Sequence, residues 1–228
     1  MSDYRSLFDP FIKKVEGEAQ DSYMDTKGNP TVGTGLNLND ETVQGLMNLR
    51  GIDPEQVKTG ERKLASEELD DIHNQYVDKR EALVRDKMGK DLYDMLKPHE
   101  KAAVMSMGYQ SLNNLGPVLT GRIATDDKIG AMREMILNTN KDQDPGILRR
   151  RLEEAELYGG PLDFTATFKT MSGEEKKQLK DMMDKLQNEN VKQEMMNKYG
   201  SYLQDVQPTT FNKLQNSLNV KLGSNNQE

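Results

Sequence analysis

The stretch that decides the fold reads EGEAQDSYMDTKGNPTVGTGLNL and runs from Glu16 to Leu38. It follows a segment whose apolar residues are spaced as on one face of a helix, and Gly17 is placed to end that helix. Short runs at 22–24 and 31–34 flank a turn at 26–30 that is rich in Gly, Pro and Asn, which is typical of a β-hairpin. We therefore expect a helix that leads directly into a small hairpin.

Apolar residues at helical spacing continue over most of the remaining chain. Asp40 is expected to cap a short helix, and longer helices are expected to begin at Ser66 and near Pro98. Ser172 and Glu175 form a capping-box pattern before a further helix. Together these elements predict an α+β protein that is mainly α.

A break in composition divides the chain. The segment YGGPLD at 158–163 predicts a domain edge, so we expect one domain over residues 1–160 and a helical extension over residues 161–228. Methionines recur at helical spacing in the extension, which is typical of a core or of a partner-facing surface. The last six residues, 223–228, are expected to be disordered.

The residue types present exclude several kinds of site. The chain has no cysteine, so it can form neither a disulfide nor a zinc–thiolate site. The two histidines, His73 and His99, lie far apart in charged surroundings, and we expect both to be exposed helix residues. No set of ligands has the spacing that a metal site requires, so neither a metal nor another cofactor is expected. Any reaction is expected to use carboxylates.

The charge of the chain narrows the choice of partner. The net charge is −7, which disfavours nucleic acid. The whole excess lies in residues 1–160, because nine lysines balance nine acidic residues in 161–228. No apolar run is long enough to cross a membrane, and the first residues lack the pattern of a secretory signal peptide. Neither nucleic acid nor a membrane is therefore an expected partner.

The hairpin region places two carboxylates and a hydroxyl close together in sequence. Glu16 lies at the expected end of the helix, Asp25 on the first strand or its turn, and Thr31 on the second strand. A helix folded onto a hairpin can bring both acids to one cleft in different surroundings, as glycoside hydrolysis requires. Gly33 and Gly35 would let a bulky substrate approach the main chain. The alternative is that these acids are solvated surface charges, since the chain has 38 acidic residues.

Two other motifs are excluded at the same place. An EF-hand loop beginning at Asp25 would need a bidentate Glu where Leu36 stands. The GTG at 33–35 lacks the third glycine and the long preceding strand of a dinucleotide-binding fingerprint.

The segment FIKKVEGEAQDSYMDTKGNPTVGTG resembles the N-terminal signature of the phage-type lysozymes, in which an IKxxEG helix end leads to a YxDxxGxxTxGxG hairpin. The matching residues occur in order and without a gap: Ile12, Lys13, Glu16, Gly17, Tyr23, Asp25, Gly28, Thr31, Gly33 and Gly35. Weaker similarity continues through ASEELDDIHNQYVDKREALV, LKPHEKAAVMSMGYQSLNNLG and DPGILRRRLEEAEL, to about residue 158. The resemblance implies a two-lobed lysozyme-like fold with a small N-terminal β-hairpin lobe and a helical C-terminal lobe.

The resemblance also implies an activity. The protein would be a muramidase that hydrolyses the β-1,4 bond between N-acetylmuramic acid and N-acetylglucosamine in peptidoglycan, with inversion at the anomeric carbon. Glu16 would protonate the glycosidic oxygen, and Asp25, helped by Thr31, would activate the attacking water. The residues expected to bind substrate are Gly33, Gly35, Tyr109 and Gln110.

Three consecutive arginines belong to the last matching segment. By the resemblance, Arg149 or Arg150 would support Glu16 through a buried ion pair, with the register among residues 149–151 left open. The alternative is a solvated helix face on which the arginines pair with Glu153 and Glu154.

The chain departs from the family pattern at two points. Leu36 occupies the position where the pattern usually has histidine, and the chain has no tryptophan, which family members commonly use in the second lobe. These departures bear on efficiency and substrate preference more than on the type of reaction.

Without an export signal, two settings fit the resemblance. A free endolysin would wait in the host cytoplasm, whereas a virion-packaged lysozyme would enter with the genome, and both would act in the host periplasm or cell wall. Residues 161–228 could dock other virion proteins in the second case. Two alternatives stay open: a structural virion or tail component with a lysozyme fold and weak activity, and a lytic transglycosylase, which uses one Glu without a partner Asp.

Overall fold

A computed structural model describes residues 4–25, 28–139 and 145–203. The protein is mainly helical and has a small three-stranded antiparallel sheet, which confirms the predicted α+β, mainly α class. The chain forms two compact units, Met1–Leu115 and Gly116–Glu228. The division at residue 160 into a catalytic domain and an extension stays a prediction.

The first unit begins with a helix, continues into the sheet and ends with helices. Its strands are β1 Ala19–Met24, β2 Pro30–Gly33 and β3 Leu36–Asn37. Its helices are α1 Arg5–Glu16, α2 Glu41–Asn48, α3 Pro54–Lys58, α4 Ser66–Met88, α5 Lys90–Met95 and α6 Pro98–Gln110. A 3₁₀ helix at Leu112–Asn114 follows α6.

The predicted hairpin is confirmed as the β1–β2 pair. The strand order is β1-β2-β3, with Tyr23 opposite Thr31 and Val32 opposite Leu36. The third strand was not predicted, because two residues are too few to give an alternating pattern. Residues 26 and 27, which belong to the predicted turn, lie outside the described residues.

Local signals set the ends of several helices as predicted. The Asp40 carboxylate accepts hydrogen bonds from the main-chain N–H groups of Thr42 and Val43 at the start of α2. Gly17 ends α1 with a φ of 77°, a conformation that favours glycine, and its N–H donates to the Lys13 carbonyl. The sheet therefore begins directly after the last turn of α1.

Tyr109 lies at the centre of the aromatic core of the first unit. Its ring contacts three other rings, with centroid distances of 6.0 Å to Phe8, 6.1 Å to His73 and 5.5 Å to Tyr76. These rings come from α1, α4 and α6, so the cluster joins these three helices.

His73 is buried, and its predicted exposure is therefore wrong. Neither of its ring nitrogens has a hydrogen-bond partner among the described residues. Burial, followed by the positive charges of Arg5 and Lys13, lowers the pKa of His73 from 6.5 to about 4. The imidazole is thus neutral in the folded protein near pH 7. His99, on α6, is partly buried.

The described part of the second unit consists of helices: α7 Pro117–Ala124, α8 Lys128–Leu137, α9 Pro145–Thr170, α10 Gly173–Asp184 and α11 Glu189–Tyr199, followed by a 3₁₀ helix at Gly200–Leu203. The predicted capping box holds, because the Ser172 hydroxyl accepts from the Glu175 N–H at the start of α10. The composition break at 158–163 is a kink within α9, where Gly160 has a φ of 73° and precedes Pro161. The predicted disorder of 223–228 falls outside the described residues.

The described part of the extension, 161–203, shares a core with α8. The Thr167 hydroxyl lies 3.7 Å from the Met132 Sδ, and Arg133 of α8 pairs with Glu175 of α10. The buried apolar side chains of this segment are Phe164, Phe168, Met171, Leu179, Met182, Met183, Leu186, Met195, Tyr199 and Leu203. Three methionines of the predicted stripe therefore serve as core residues.

Within the described residues, no helix is both long and apolar enough to cross a membrane.

The buried His73 predicts a stability that falls as the pH falls from 6.5 towards 4. In this window the unfolded chain binds a proton at His73 that the folded protein does not bind, so the free energy of unfolding rises with pH. The difference amounts to about 3 kcal/mol over the window. Chemical denaturation at a series of pH values between 4 and 7 measures it.

The matched control is His73→Phe, which keeps an aromatic ring and removes the titrating group. Carboxylates elsewhere in the chain titrate in both proteins, so the difference between the two pH profiles isolates His73. Profiles of equal slope would contradict the assignment.

The shared core predicts that the extension stabilises the second unit. Phe168→Ala removes a buried ring that stacks on Tyr202, with centroids 4.7 Å apart, and is expected to cost about 3–5 kcal/mol of unfolding free energy. Leu162→Ala, on the same helix, is expected to cost less than about 0.5 kcal/mol because Leu162 is exposed. Urea unfolding followed by circular dichroism compares the two.

Deleting residues 161–228 tests the same point on a larger scale. The shortened chain is expected to melt at a lower temperature and to bind a hydrophobic dye, because the apolar side chains of α8 lose their cover. An unchanged melting temperature would mean that the extension is a separate module.

Candidate active site

Glu16 is the last residue of α1, and its side chain is partly buried. The main chain at Gly35 lies directly against its carboxylate: a Cβ added at Gly35 would lie 3.1 Å from Glu16 Oε2 and 3.2 Å from Glu16 Cδ. Gly35 also has a φ of 72°, a conformation that favours glycine. The main chain at Gly35 thus lies beside the Glu16 carboxylate, and an approach of substrate at Gly35 stays a prediction.

Gly33 has a different environment. It is buried, and a Cβ added there would lie 3.1 Å from the Leu69 Cδ2 of α4. Its φ of 62° allows β2 to turn towards β3. An approach of substrate to the main chain at Gly33 stays a prediction.

Asp25 is held by one residue of the hairpin turn. The Asn29 main-chain N–H donates to Asp25 Oδ1 at 2.7 Å, and the Asn29 Nδ2 donates to Asp25 Oδ2 at 3.0 Å. The Asp25 N–H in turn donates to the Asn29 carbonyl at 2.9 Å. Both carboxylate oxygens are thereby fixed by Asn29.

The sequence predicts a turn at Asn29 but not the hydrogen bonds from Asn29 to Asp25. The signal was an Asp and an Asn four residues apart within one turn, since Asn side chains bond readily to groups a few residues away.

Thr31 is buried on β2, opposite Tyr23 of β1. Its hydroxyl donates to the Asn29 carbonyl at 3.1 Å, so Asn29 connects it with Asp25. The donor is used within the turn, while the hydroxyl oxygen keeps its capacity to accept from a water. The expected role of Thr31 beside Asp25 stays a prediction.

Tyr23 lies on β1, between the two predicted catalytic acids Glu16 and Asp25 in the sequence. Its side chain is 37% exposed, two residues before Asp25. Burial, and then the negative charges of Glu16 and Asp25, raise the pKa of the Tyr23 phenol. The Tyr23 phenol is therefore uncharged near pH 7.

The two predicted substrate-binding residues at the end of α6, Tyr109 and Gln110, differ in burial. Tyr109 is buried, and its hydroxyl donates to the Thr34 carbonyl at 2.7 Å. Gln110 is partly exposed, and its Oε1 accepts from the Asn114 Nδ2 at 3.1 Å. A role for Gln110 in substrate binding stays a prediction.

The arginines of α9 pair with the acids named by the alternative hypothesis. The Arg149 Nε lies 3.2 Å from Glu153, and the Arg150 Nε lies 3.0 Å from Glu154. The helix face is not solvated, however, because Arg151 and Glu154 are fully buried and lie 3.1 Å apart. A contact of Arg149 or Arg150 with Glu16 stays a prediction.

The described ranges contain no group of three or more His, Cys, Asp or Glu side chains arranged to hold a metal ion.

The contact at Gly35 predicts a specific cost of adding a methyl group. Gly35→Ala is expected to lose about 1 kcal/mol from its left-handed φ and about 1–3 kcal/mol more from overlap with Glu16. Gly51→Ala is the matched control, because Gly51 has a φ of 68° and no atom within 4 Å of the added Cβ. Urea unfolding of both variants measures the difference, and equal losses would remove the Glu16 contact as its cause.

No family model matches the chain. No curated protein matches its sequence, and no solved structure matches its fold. The resemblance to the phage-type lysozymes rests on the order and spacing of the residues from Ile12 to Gly35.

Proposed function

We propose that this protein is a muramidase, which hydrolyses the β-1,4 bond between N-acetylmuramic acid and N-acetylglucosamine in peptidoglycan. One observation carries the proposal: Asp25 is hydrogen-bonded to Asn29, directly before β2, and Glu16 lies against Gly35, shortly after β2. Two carboxylates held along one short strand provide the acid and the base that glycoside hydrolysis needs.

The two acids have different surroundings, which supports different roles. Both oxygens of Asp25 accept hydrogen bonds from Asn29, and hydrogen bonds of this kind favour a carboxylate in its ionised form. Glu16 contacts the main chain of Gly35 at the end of α1. In the proposal, Asp25 is the base and Glu16 is the acid.

The reaction proceeds in one displacement. Glu16 donates its proton to the glycosidic oxygen as the bond from that oxygen to the anomeric carbon breaks. A water attacks the anomeric carbon from the opposite face and gives its proton to Asp25, so the product has inverted configuration. The Thr31 hydroxyl, which donates to Asn29, can accept a hydrogen bond from this water and orient it.

Two exposed side chains on β1 support binding of a polymer. Tyr23 is 37% exposed, and Met24 beside it is 65% exposed. Sugar rings present C–H faces that pack well on apolar and aromatic side chains, so this end of β1 suits contact with a glycan.

The setting of the activity is proposed as the lysis of bacterial cell walls by a bacteriophage. The protein would act in the host periplasm or cell wall, either as an endolysin from the host cytoplasm or as a lysozyme packaged in the virion. In the virion, residues 161–228 would contact other virion proteins.

The test is lysis of cells stripped of their outer membrane, followed as a fall in turbidity. Glu16→Gln and Asp25→Asn are each expected to reduce the rate by about 10²–10⁴-fold, as loss of a general acid or base does. Glu18→Gln is the matched control, because Glu18 lies two residues from Glu16, is exposed and pairs with Lys13 at 2.9 Å. It is expected to lyse cells at the wild-type rate.

The products separate this mechanism from its alternatives. Hydrolysis leaves a reducing end, whereas a lytic transglycosylase leaves a 1,6-anhydro sugar. Lysis retained by Glu16→Gln would contradict the mechanism, and a wild type without glycan cleavage would favour a structural component of the virion.

A further inference from the structure

A buried hydrogen bond joins the end of α6 to the turn between β2 and β3. The Tyr109 hydroxyl donates to the Thr34 carbonyl at 2.7 Å, across 75 residues of sequence. Both residues are buried, so water cannot replace the bond when it breaks. The position of the Thr34 carbonyl is therefore set by the Tyr109 side chain.

The residue after Thr34 is the one that contacts the proposed acid. Gly35 lies close enough to Glu16 that an added Cβ would be 3.1–3.3 Å from three atoms of its side chain. A movement of the Thr34 carbonyl carries Gly35 with it, because the peptide plane between them is rigid. The hydrogen bond from Tyr109 to Thr34 thus fixes the position of Gly35 beside Glu16.

Tyr109 also contacts the helix on which Glu16 stands. Its ring centroid lies 6.0 Å from that of Phe8 on α1. Its own main chain is held by Arg80 of α4, whose Nη2 donates to the carbonyls of Gly108 at 2.6 Å and Tyr109 at 3.3 Å. The same side chain therefore contacts both elements that meet at Glu16, namely α1 and the turn at Gly35.

We infer that Tyr109 is a positioning residue for Glu16, which it holds in place through the Thr34–Gly35 main chain and through Phe8. The inference rests on the proposed function for its catalytic consequence, and it replaces the expected contact of Tyr109 with substrate. A general acid must be held close to the productive geometry, and small displacements reduce the chemical step more than binding.

The test is Tyr109→Phe, which removes one oxygen and keeps the ring. On soluble, uncross-linked peptidoglycan chains, kcat is expected to fall about tenfold while KM changes less than about twofold. A residue that binds substrate would instead raise KM. An unchanged kcat, or a change confined to KM, would overturn the inference.

The matched control is Tyr93→Phe. Tyr93 is also buried in the first unit, and its hydroxyl donates to Glu81 Oε1 at 2.9 Å. Both variants lose one hydrogen bond made by a buried tyrosine, so both are expected to melt at a lower temperature. The fall in kcat is expected for Tyr109→Phe alone, and equal falls would mean that kcat reports general stability.

A measurement without substrate separates this inference from the proposed function. The backbone amide resonances of Glu16 and Gly35 are expected to shift in Tyr109→Phe and to stay in place in Tyr93→Phe. If both resonances stay in place, the positioning role is wrong whether or not the protein cleaves glycans. If both resonances shift while the wild type cleaves no glycan, the proposed function is wrong, but the positioning of Glu16 by Tyr109 is supported.

Arg80→Gln is the second variant, should Tyr109→Phe fail to fold. It removes the hydrogen bonds that fix the end of α6 and leaves the Tyr109 hydroxyl in place. The same two resonances are expected to shift, and kcat is expected to fall by less than in Tyr109→Phe. Unchanged resonances in this variant would also overturn the inference.

Discussion

The first unit is organised around one close approach, between the main chain at Gly35 and the carboxylate of Glu16. A side chain at Gly35 would force Glu16 to shift by a few tenths of an ångström, and the main chain has a positive φ at this position, which favours glycine. The helix end, the short sheet and the turn at 33–36 must therefore be placed together. Buried side chains from that sheet, such as Val32 and Leu36, fix it on the helices of the unit.

Features that depend on a few neighbouring residues could be predicted from the sequence. The cap at Asp40, the end of α1 at Gly17 and the β1–β2 hairpin follow from groups within about one turn of each other. Asn29 is also only four residues from Asp25. Its hydrogen bonds to Asp25 were not predicted, because an Asn in a turn has several possible partners. Here the sequence predicted the turn but not its hydrogen bonds.

Depth of burial is the property that the sequence did not indicate. Charged neighbours surround His73 along the chain, yet α4 turns this one residue inward against Tyr109. The pairs of Arg149, Arg150 and Arg151 with Glu153 and Glu154 follow from helical spacing, but the charge pattern alone favours a solvated face. Burial is decided by what packs over a helix face, and that information lies in distant segments.

The bond between Tyr109 and Thr34 closes a loop of 75 residues. The entropy of closing so long a loop must be overcome before the bond forms, so contacts of this kind complete late in folding. The hairpin and α1 can form early because their contacts are local. The surroundings of Glu16 are then completed only when α6 is in place, because a nascent chain that has not yet folded α6 lacks the hydrogen bond from Tyr109 to the residue before Gly35.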